Sequence, residues 1–216
     1  MTDPHHTNLD SIIKNNRMQK ASEIDNFTED RYRQMCENLP AGPISVLDVG
    51  CGLGRGGSVI KELRPAASLI GLDCVPERIE KLDRAIYADA VVSFTHVLPF
   101  EDRSIDAIIA GEFLEHVPPR FIEQTICEFF RVLKLKGIVS LTTPNPRYIK
   151  NRVLNLSVLT DPSHMTQHYP EVLRKRIMGV GFSSIRILGS GKVSRILGQG
   201  FPLFLYGSYI LTANKW

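Results

Sequence analysis

The fold is decided by the stretch VLDVGCGLG at residues 46–54, where an apolar run passes directly into three closely spaced glycines. Together with Ile44 and Ser45, the apolar half has the length and composition of a short buried strand. Glycines that follow a strand let the backbone turn sharply and approach a ligand closely, because no Cβ intervenes. The stretch therefore predicts a buried strand that ends in a ligand-binding loop.

Strands and helices are predicted to alternate on both sides of this stretch. The strands are predicted over residues 44–49, 68–73, 85–89, 104–110, 137–142, 182–188 and 206–213. The helices are predicted over residues 22–39, 55–63, 118–133 and 171–178, with a short one that begins at Pro76. This alternation predicts an α/β fold with a mostly parallel sheet covered on both faces. Since no helix separates the last two strands, an antiparallel edge is expected there.

Length and composition limit the class of protein. The 216 residues fit one main domain at 44–216, with residues 1–43 as an N-terminal helical cover. The chain has 43% apolar and 23% charged residues, and it lacks an apolar run near the ~18 residues of a membrane-spanning helix. The first six residues do not resemble a secretory signal, and the four cysteines include no C-x-x-C pair. We therefore expect a cytoplasmic protein with free cysteines.

Charge is distributed unevenly along the chain. Residues 1–133 contain 14 basic and 21 acidic side chains, whereas residues 134–216 contain 12 basic side chains and two acids, Asp161 and Glu171. Uneven surface charge is common in proteins. The pattern also suits a last third of the chain that faces an anionic partner.

Functional side chains are expected where the parallel strands end, because ligands bind beyond the carboxyl ends of such strands. Asp73 ends the second predicted strand, and a carboxylate there can accept both hydroxyls of a ribose. Asp89 ends the third predicted strand and can accept from an adenine amino group, with the amide of Ala90 facing a ring nitrogen. Glu112 follows the fourth predicted strand.

Five segments, in this order, resemble the motifs of the class I S-adenosylmethionine-dependent methyltransferases. They are VLDVGCGLG at 46–54, GLD at 71–73, LPFEDRSID at 98–106, EFLEHV at 112–117 and RVLKLKG at 131–137. The sequence is similar to small-molecule O-methyltransferases over residues 44–145, although the stretch 91–97 is longer than usual in the family. The resemblance implies a Rossmann-like three-layer sandwich with a seven-stranded sheet. It also implies S-adenosylmethionine as the cofactor and S-adenosylhomocysteine as its product.

The resemblance further implies roles for individual residues. The loop glycines would line the methionine part of the cofactor, Asp73 would bind the ribose, and Asp89 with Ala90 would bind the adenine. Cys74 would lie against the adenine face, and Gly111 would lie near the methionine amino group. The complete predicted cofactor set is Asp48, Gly50, Cys51, Gly52, Gly54, Asp73, Cys74, Asp89, Ala90, Gly111, Glu112 and Phe113.

Two histidines, His116 and His164, are predicted to act in catalysis. A hydroxyl acceptor has to lose its proton, and a histidine with a pKa near neutral suits that task. An alternative hypothesis places a divalent metal on Glu112, Glu115, His116 and His164, because the E-x-x-E-H arrangement also looks like that of metal-using methyltransferases. Our prediction for the site includes no metal.

The acceptor site is predicted mainly within residues 144–205, where the family builds it. A phosphate or carboxylate of the acceptor could bind to basic residues there, namely Arg147, Lys150, Arg152, Arg174, Lys175 and Arg176. The predicted activity is O-methylation of a small or sugar-like acceptor that is anionic or lipid-linked. The apolar run at 201–206 would pack in the core or touch a membrane surface.

Two alternative functions stay open beside this activity. One is methylation of RNA, which is disfavoured because the basic residues lack interleaved aromatic side chains. The other is a non-catalytic partner protein that keeps the cofactor pocket. The sequence does not indicate an oligomeric state.

Overall fold

The computed structural model describes residues 9–19 and 27–216. Helix α1 (Leu9–Arg17) and helix α2 (Thr28–Cys36) precede the sheet. The helix predicted over 22–39 is thus confirmed for its central part, while residues 22–26 lie outside the described residues. The division of the chain at residue 43 stays a prediction.

In the described part of the chain, seven strands form one sheet. They are β1 (Ser45–Val49), β2 (Ser68–Asp73), β3 (Tyr87–Val92), β4 (Ile105–Gly111), β5 (Leu133–Pro144), β6 (Ser183–Ser190) and β7 (Ser208–Asn214). Their order in the sheet is β3-β2-β1-β4-β5-β7-β6. Strands β1 to β5 pair in parallel, whereas β7 lies between β5 and β6 and runs antiparallel to both. The predicted mostly parallel sheet with an antiparallel edge is confirmed.

Helices cover both faces of this sheet. After α1 and α2 come α3 (Arg55–Leu63), α4 (Pro76–Ile79), α5 (Ile122–Val132), α6 (Ile149–Val153), α7 (Pro170–Val180) and α8 (Ser194–Leu197). Single 3-10 turns occupy Leu114–His116, Pro119–Phe121, Val158–Thr160 and Leu203–Leu205. None of the helices described within 9–19 and 27–216 combines the length and apolar character that crossing a bilayer requires.

The core is divided between the two faces of the sheet because successive strand residues point in opposite directions. Ile108 of β4 packs in a core with Phe129 of α5, and the next residue, Ile109, packs in a core with Met35 of α2 and Ile60 of α3. Burial of each such side chain contributes about 1.5–3 kcal/mol. The predicted three-layer sandwich is therefore confirmed.

One strand boundary differs from the prediction in a way that changes the site. Strand β3 was expected to end at Asp89, but it continues to Val92. It continues because Ala90, Val91 and Val92 pair in register with the last three residues of β2. The carboxyl end of β3 consequently lies three residues further along the chain than the sequence pattern indicated.

Candidate active site

The glycine loop, residues 50–54, is fixed in its turn by backbone hydrogen bonds. The amides of Gly50 and Cys51 donate to the carbonyl oxygen of Leu72 at 2.7 and 3.1 Å, and the amide of Gly54 donates to that of Cys51 at 2.9 Å. Gly50, Gly52 and Gly54 have φ values of +68°, +55° and +85°, which favour glycine. The loop thus presents bare backbone at the carboxyl end of β1.

Asp48 lies beneath the glycine loop with its side chain fully buried. Its Oδ1 accepts the hydroxyl of Tyr32 at 2.8 Å, and its Oδ2 accepts the hydroxyl of Tyr87 at 2.6 Å. Burial raises the pKa of Asp48 to about 6, against the opposing effect of the two hydroxyls. Asp48 therefore links α2 and β3 beneath the loop. Any contribution that it makes to cofactor binding is indirect, because it holds the loop in position.

A cavity of about 240 Å³, here called the main cavity, opens at the carboxyl ends of β1, β2 and β4. It is lined by seven residues of the predicted cofactor set and by both predicted catalytic histidines, namely Gly50, Gly52, Asp73, Cys74, Gly111, Glu112, Phe113, His116 and His164. A smaller pocket on the glycine loop is lined by Cys51 together with residues of α2. Gly54 lines neither space, because it begins α3 as its N-cap.

Asp73 forms the wall of the main cavity at the end of β2. Its buried carboxylate accepts the amides of Gly52 at 3.1 Å and Val75 at 2.9 Å, and a longer bond of 3.4 Å from Nη1 of Arg78. A carboxylate offers about four acceptor positions. One position is therefore open to a ligand hydroxyl, and a second becomes open if the long Arg78 bond gives way.

The adenine contacts predicted at Asp89 and Ala90 do not reach the main cavity. Since β3 continues to Val92, both residues lie inside the strand, and Oδ1 of Asp89 accepts the amide of Ala90 at 2.8 Å. The residues that follow the observed end of β3, at positions 93–96, line the cavity instead. The structure thus places Asp89 and Ala90 within β3 and outside the cavity lining, and the adenine contacts predicted for them stay a prediction.

Glu115, His116 and His164 lie together on the wall of the main cavity. Nδ1 of His116 is 3.0 Å from the carbonyl oxygen of Ser163, and Nδ1 of His164 is 2.7 Å from that of Val158. A carbonyl oxygen can only accept, so Nδ1 of each ring is placed to donate, and Nδ1 of His116 also lies 2.6 Å from the side-chain amide nitrogen of Gln19. Nε2 of His116 lies 4.0 Å from Oε1 of Glu115.

Burial sets the protonation of these groups. Desolvation lowers the pKa of His116 to about 4, so its ring is neutral at pH 7. Desolvation, followed by the negative charge of Glu112, raises the pKa of Glu115. The Thr143 hydroxyl donates to Oε2 of Glu115 at 2.9 Å, whereas Oε1 has no partner among the described residues. This part of the cavity wall therefore holds a neutral imidazole beside a buried carboxyl oxygen that lacks a hydrogen bond.

Three of the four residues in the metal hypothesis come together. The potential ligand atoms of Glu115, His116 and His164 all lie within 4.8 Å of one another. Glu112 is outside this group, and its Oε2 accepts the hydroxyl of Ser208 at 3.3 Å. Two imidazoles and one carboxylate suit several divalent ions. The metal hypothesis is thus limited to Glu115, His116 and His164, and it stays a hypothesis.

Arg31 on α2 is a residue of the site that the sequence analysis missed. Its side chain is buried and lines both the main cavity and the smaller pocket beside the glycine loop. Its Nη2 donates to Oγ1 of Thr28 at 3.4 Å. The sequence carries no local signal for this role, since only the packing of α2 against the sheet brings Arg31 to the loop.

Helix α1 and the residues after it cover part of the main cavity. Ile12, Asn16 and Gln19 line it. Nη2 of Arg78 donates to the carbonyl oxygen of Asn16 at 2.5 Å, and the side-chain amide of Gln19 lies 2.6 Å from Nδ1 of His116. The N-terminal segment therefore contacts both His116 and Arg78, which in turn donates to Asp73.

Comparison with known proteins agrees with this fold. Residues 46–137 match the family model described as a methyltransferase domain. The crystal structure of a SAM-dependent methyltransferase from Archaeoglobus fulgidus superposes with a TM-score of 0.71 at 19% identity, over 90% of this chain and 97% of that chain. The family match identifies residues 46–137 as a methyltransferase domain, and the superposition shows that the chain shares the fold of an S-adenosylmethionine-dependent methyltransferase.

Curated relatives include methyltransferases with different acceptors. The demethylmenaquinone methyltransferase of Thermotoga maritima is 29% identical over 126 residues, which are 56% of this chain and 54% of that protein. The fatty-acid O-methyltransferase of Mycolicibacterium smegmatis is 28% identical over 134 residues, which are 61% of this chain and 48% of that protein. The chain thus spans about half the length of these two curated relatives.

Proposed function

We propose that the protein transfers the methyl group of S-adenosylmethionine to a hydroxyl of a small acceptor that is anionic or lipid-linked. The observation that carries this proposal is that one cavity is lined by Asp73 and the glycine loop as well as by His116 and His164. A nucleoside bound to Asp73 and the loop would thus share this cavity with the histidines. Alignment of two reactants in this way can lower a barrier by ~7–11 kcal/mol.

The cofactor would be divided among four parts of the wall. Asp73 would accept the ribose hydroxyls, and residues 93–96 at the observed end of β3 would face the adenine. The backbone of the glycine loop would lie along the methionine part. Arg31 would bind the methionine carboxylate, because it is the buried cation of α2 that reaches the loop from the other side.

The Arg31 assignment predicts a selective loss of affinity. Replacing Arg31 by methionine should weaken S-adenosylmethionine binding roughly 10- to 100-fold, since a hydrogen bond to a charged group is worth about 1.5–3 kcal/mol. Calorimetric titration measures this change. Methylthioadenosine keeps the nucleoside but lacks the carboxylate, so it should bind the wild type and the variant equally. An equal loss for both ligands would show that Arg31 only supports the fold.

His116 is assigned as the base that takes the proton of the acceptor hydroxyl. In the tautomer that donates from Nδ1 to the Ser163 carbonyl, Nε2 is the basic atom, and burial keeps the ring neutral at pH 7. A pKa of about 4 makes the ring a weak base in the free protein. An anionic acceptor beside the ring would raise that pKa, because a nearby negative charge favours the imidazolium.

The His116 assignment predicts a particular pH dependence. In the free enzyme the ring gains a proton only near pH 4, so kcat/KM should stay level from pH 8 to about pH 5 and fall below that. Replacing His116 by glutamine should lower kcat about 100-fold, at the lower end of the usual effect of a general base, and remove this fall. A wild-type profile that declines around pH 6.5 would contradict the assignment.

The acceptor class is supported by charge and by the relatives. Of the six basic residues predicted to bind an anion, Arg147 pairs with Glu171, Arg176 pairs with Glu123, and Arg174 donates to a backbone carbonyl. Lys150, Arg152 and Lys175 form no ion pair with another described residue. The fatty-acid O-methyltransferase relative, by its name, acts on an anionic lipid.

The proposed function is tested by binding and by transfer. Calorimetry with S-adenosylmethionine and S-adenosylhomocysteine measures the first, and transfer of a labelled methyl group to hydroxylated fatty acids, phenolic lipids and sugar phosphates measures the second. We expect binding of both nucleosides and a methyl ether as the product. Binding without transfer to any acceptor would favour a non-catalytic partner protein. Transfer to RNA would favour an RNA methyltransferase.

A further inference from the structure

A run of exposed aliphatic side chains lies between β5 and the loop that carries His164. We call residues 149–159 the apolar segment. Five of its side chains are between 45% and 76% exposed, namely Ile149, Val153, Leu154, Leu156 and Leu159. Singly exposed apolar residues are normal, whereas a contiguous group of large ones marks an interaction surface.

The apolar segment is an ordered part of the fold. The amide of Leu154 donates to the carbonyl oxygen of Lys150 at 2.9 Å, which closes the end of α6. Ser157 and Thr160 form a reciprocal cap on the next turn, with the Ser157 amide 3.1 Å from Oγ1 of Thr160. Between them, Val158 turns inward and is buried. Internal hydrogen bonds therefore hold the other aliphatic side chains outward.

The charged side chains of the apolar segment are all basic. Lys150 and Arg152 lie within the apolar segment, are exposed, and form no ion pair with another described residue. The sequence has no acidic residue between Glu128 and Asp161. A surface with negative charge would therefore meet two unpaired cations and no opposing carboxylate.

A second exposed apolar stretch lies beside the first. Nδ2 of Asn145 donates to the carbonyl oxygens of Leu203 and Tyr206 at 2.7 and 3.0 Å. These bonds fix the loop 201–206 next to the chain that enters the apolar segment. Phe201 and Phe204 of this loop are about half exposed, whereas Tyr206 is buried. The neighbouring loops thus extend the apolar surface.

We propose that the apolar segment docks the protein on the surface of a bilayer that contains anionic lipids. The aliphatic side chains would enter the boundary between headgroups and acyl chains, and Lys150 and Arg152 would meet the phosphates. Amphipathic segments with basic neighbours bind membranes at this depth. Single-stranded RNA is a poorer match because it stacks on aromatic rings, and residues 149–159 include none.

Docking would place the main cavity at the membrane. Asp161, Ser163 and His164 line the cavity and follow the apolar segment directly. The bond between Nδ1 of His164 and the carbonyl oxygen of Val158 joins the two regions. The wall that carries His164 would thus lie next to the bilayer. The docking inference does not depend on the methyl transfer proposed above, since it rests on exposure and charge alone.

The test is co-sedimentation of the full chain with vesicles of phosphatidylcholine, with and without phosphatidylserine. We expect binding to the vesicles that contain phosphatidylserine and a reduction in binding as the salt concentration rises. The double variant V153S/L156S and the double variant K150E/R152E should each reduce the bound fraction about 10-fold or more. M178S is the matched control, because Met178 is exposed on α7 outside the apolar segment, and it should bind as the wild type does.

Three outcomes would overturn the inference. One is a wild-type chain that does not bind the anionic vesicles, and another is a V153S/L156S variant that binds as well as M178S. The third is a wild-type chain that forms a dimer which V153S/L156S dissociates, since a second copy would then occupy the surface. Binding of the S-adenosylmethionine cofactor by each variant verifies that the exposed substitutions leave the fold intact.

Discussion

Replacing Asp73 by alanine should weaken S-adenosylmethionine binding by roughly 10²- to 10⁴-fold, because two ribose hydroxyls would each lose a hydrogen bond to a carboxylate worth ~1.5–3 kcal/mol. The carboxylate is buried at the cavity wall. Methylthioadenosine should lose affinity to the same degree, since it carries the same ribose. This shared loss separates Asp73 from Arg31, for which only S-adenosylmethionine should respond.

The matched control for this prediction is the replacement of Asp89 by alanine. Asp89 is exposed inside β3 and lies outside the main cavity, so affinity should change by about twofold or less. Asp73 also accepts two backbone amides, and Asp73→Asn therefore serves as a second variant that keeps its shape. Unchanged affinity in both Asp73 variants, with an unchanged unfolding curve, would contradict the ribose assignment. A loss in the Asp89 variant would support the original adenine prediction.

A second large effect is expected from a methyl group at Gly57, where alanine should lower the free energy of unfolding by about 3–5 kcal/mol. A Cβ at Gly57 would lie 2.1 Å from the hydroxyl oxygen of Tyr87 and 2.3 Å from its Cζ. Tyr87 is itself buried and donates to Asp48, so its ring has to move and break that bond. The overpacking and the loss of the buried hydrogen bond both lower the free energy of unfolding, and their effects add.

Replacing Gly179 by alanine should instead raise the free energy of unfolding. Gly179 lies in helix α7, and a Cβ there would meet no heavy atom within 4 Å. Alanine in an open helical position should raise the free energy of unfolding by about 0.5–1 kcal/mol. Denaturant unfolding of both variants gives the comparison. Two changes of the same sign and size would show that Tyr87 is not packed against α3 as described.

Much of the fold could be predicted because its signals are local. Helix α3 and strand β2 are confirmed at their predicted bounds, since a glycine loop precedes the first and Pro65 separates them. The end of β3 could not be predicted in this way. Val91 and Val92 belong to the strand through their register with β2, and such pairing between distant segments leaves no mark in the sequence of either.

The residues of the site also divide into those that local sequence predicts and those that only packing between distant segments brings in. The glycine loop follows β1, Asp73 and Gly111 end β2 and β4, and His116 comes shortly after β4. The sequence therefore placed them at one edge of the sheet, and the main cavity brings them together. Arg31 comes from a helix that the chain folds back over the loop, and residues 93–96 enter only because β3 is longer than expected. Asp48 was predicted with the cofactor residues, but two tyrosines distant in sequence occupy both of its oxygens.

The Asp48 bonds have a consequence for how the empty protein is shaped. Tyr32 lies next to Arg31 on α2, so the helix cannot swing away from the glycine loop without breaking a buried bond to Asp48. Arg31 and the glycine loop, which would bind opposite sides of the methionine part of the cofactor, are therefore held at a fixed separation before the cofactor binds. A ligand that enters this rigid frame loses little free energy to ordering its receptor.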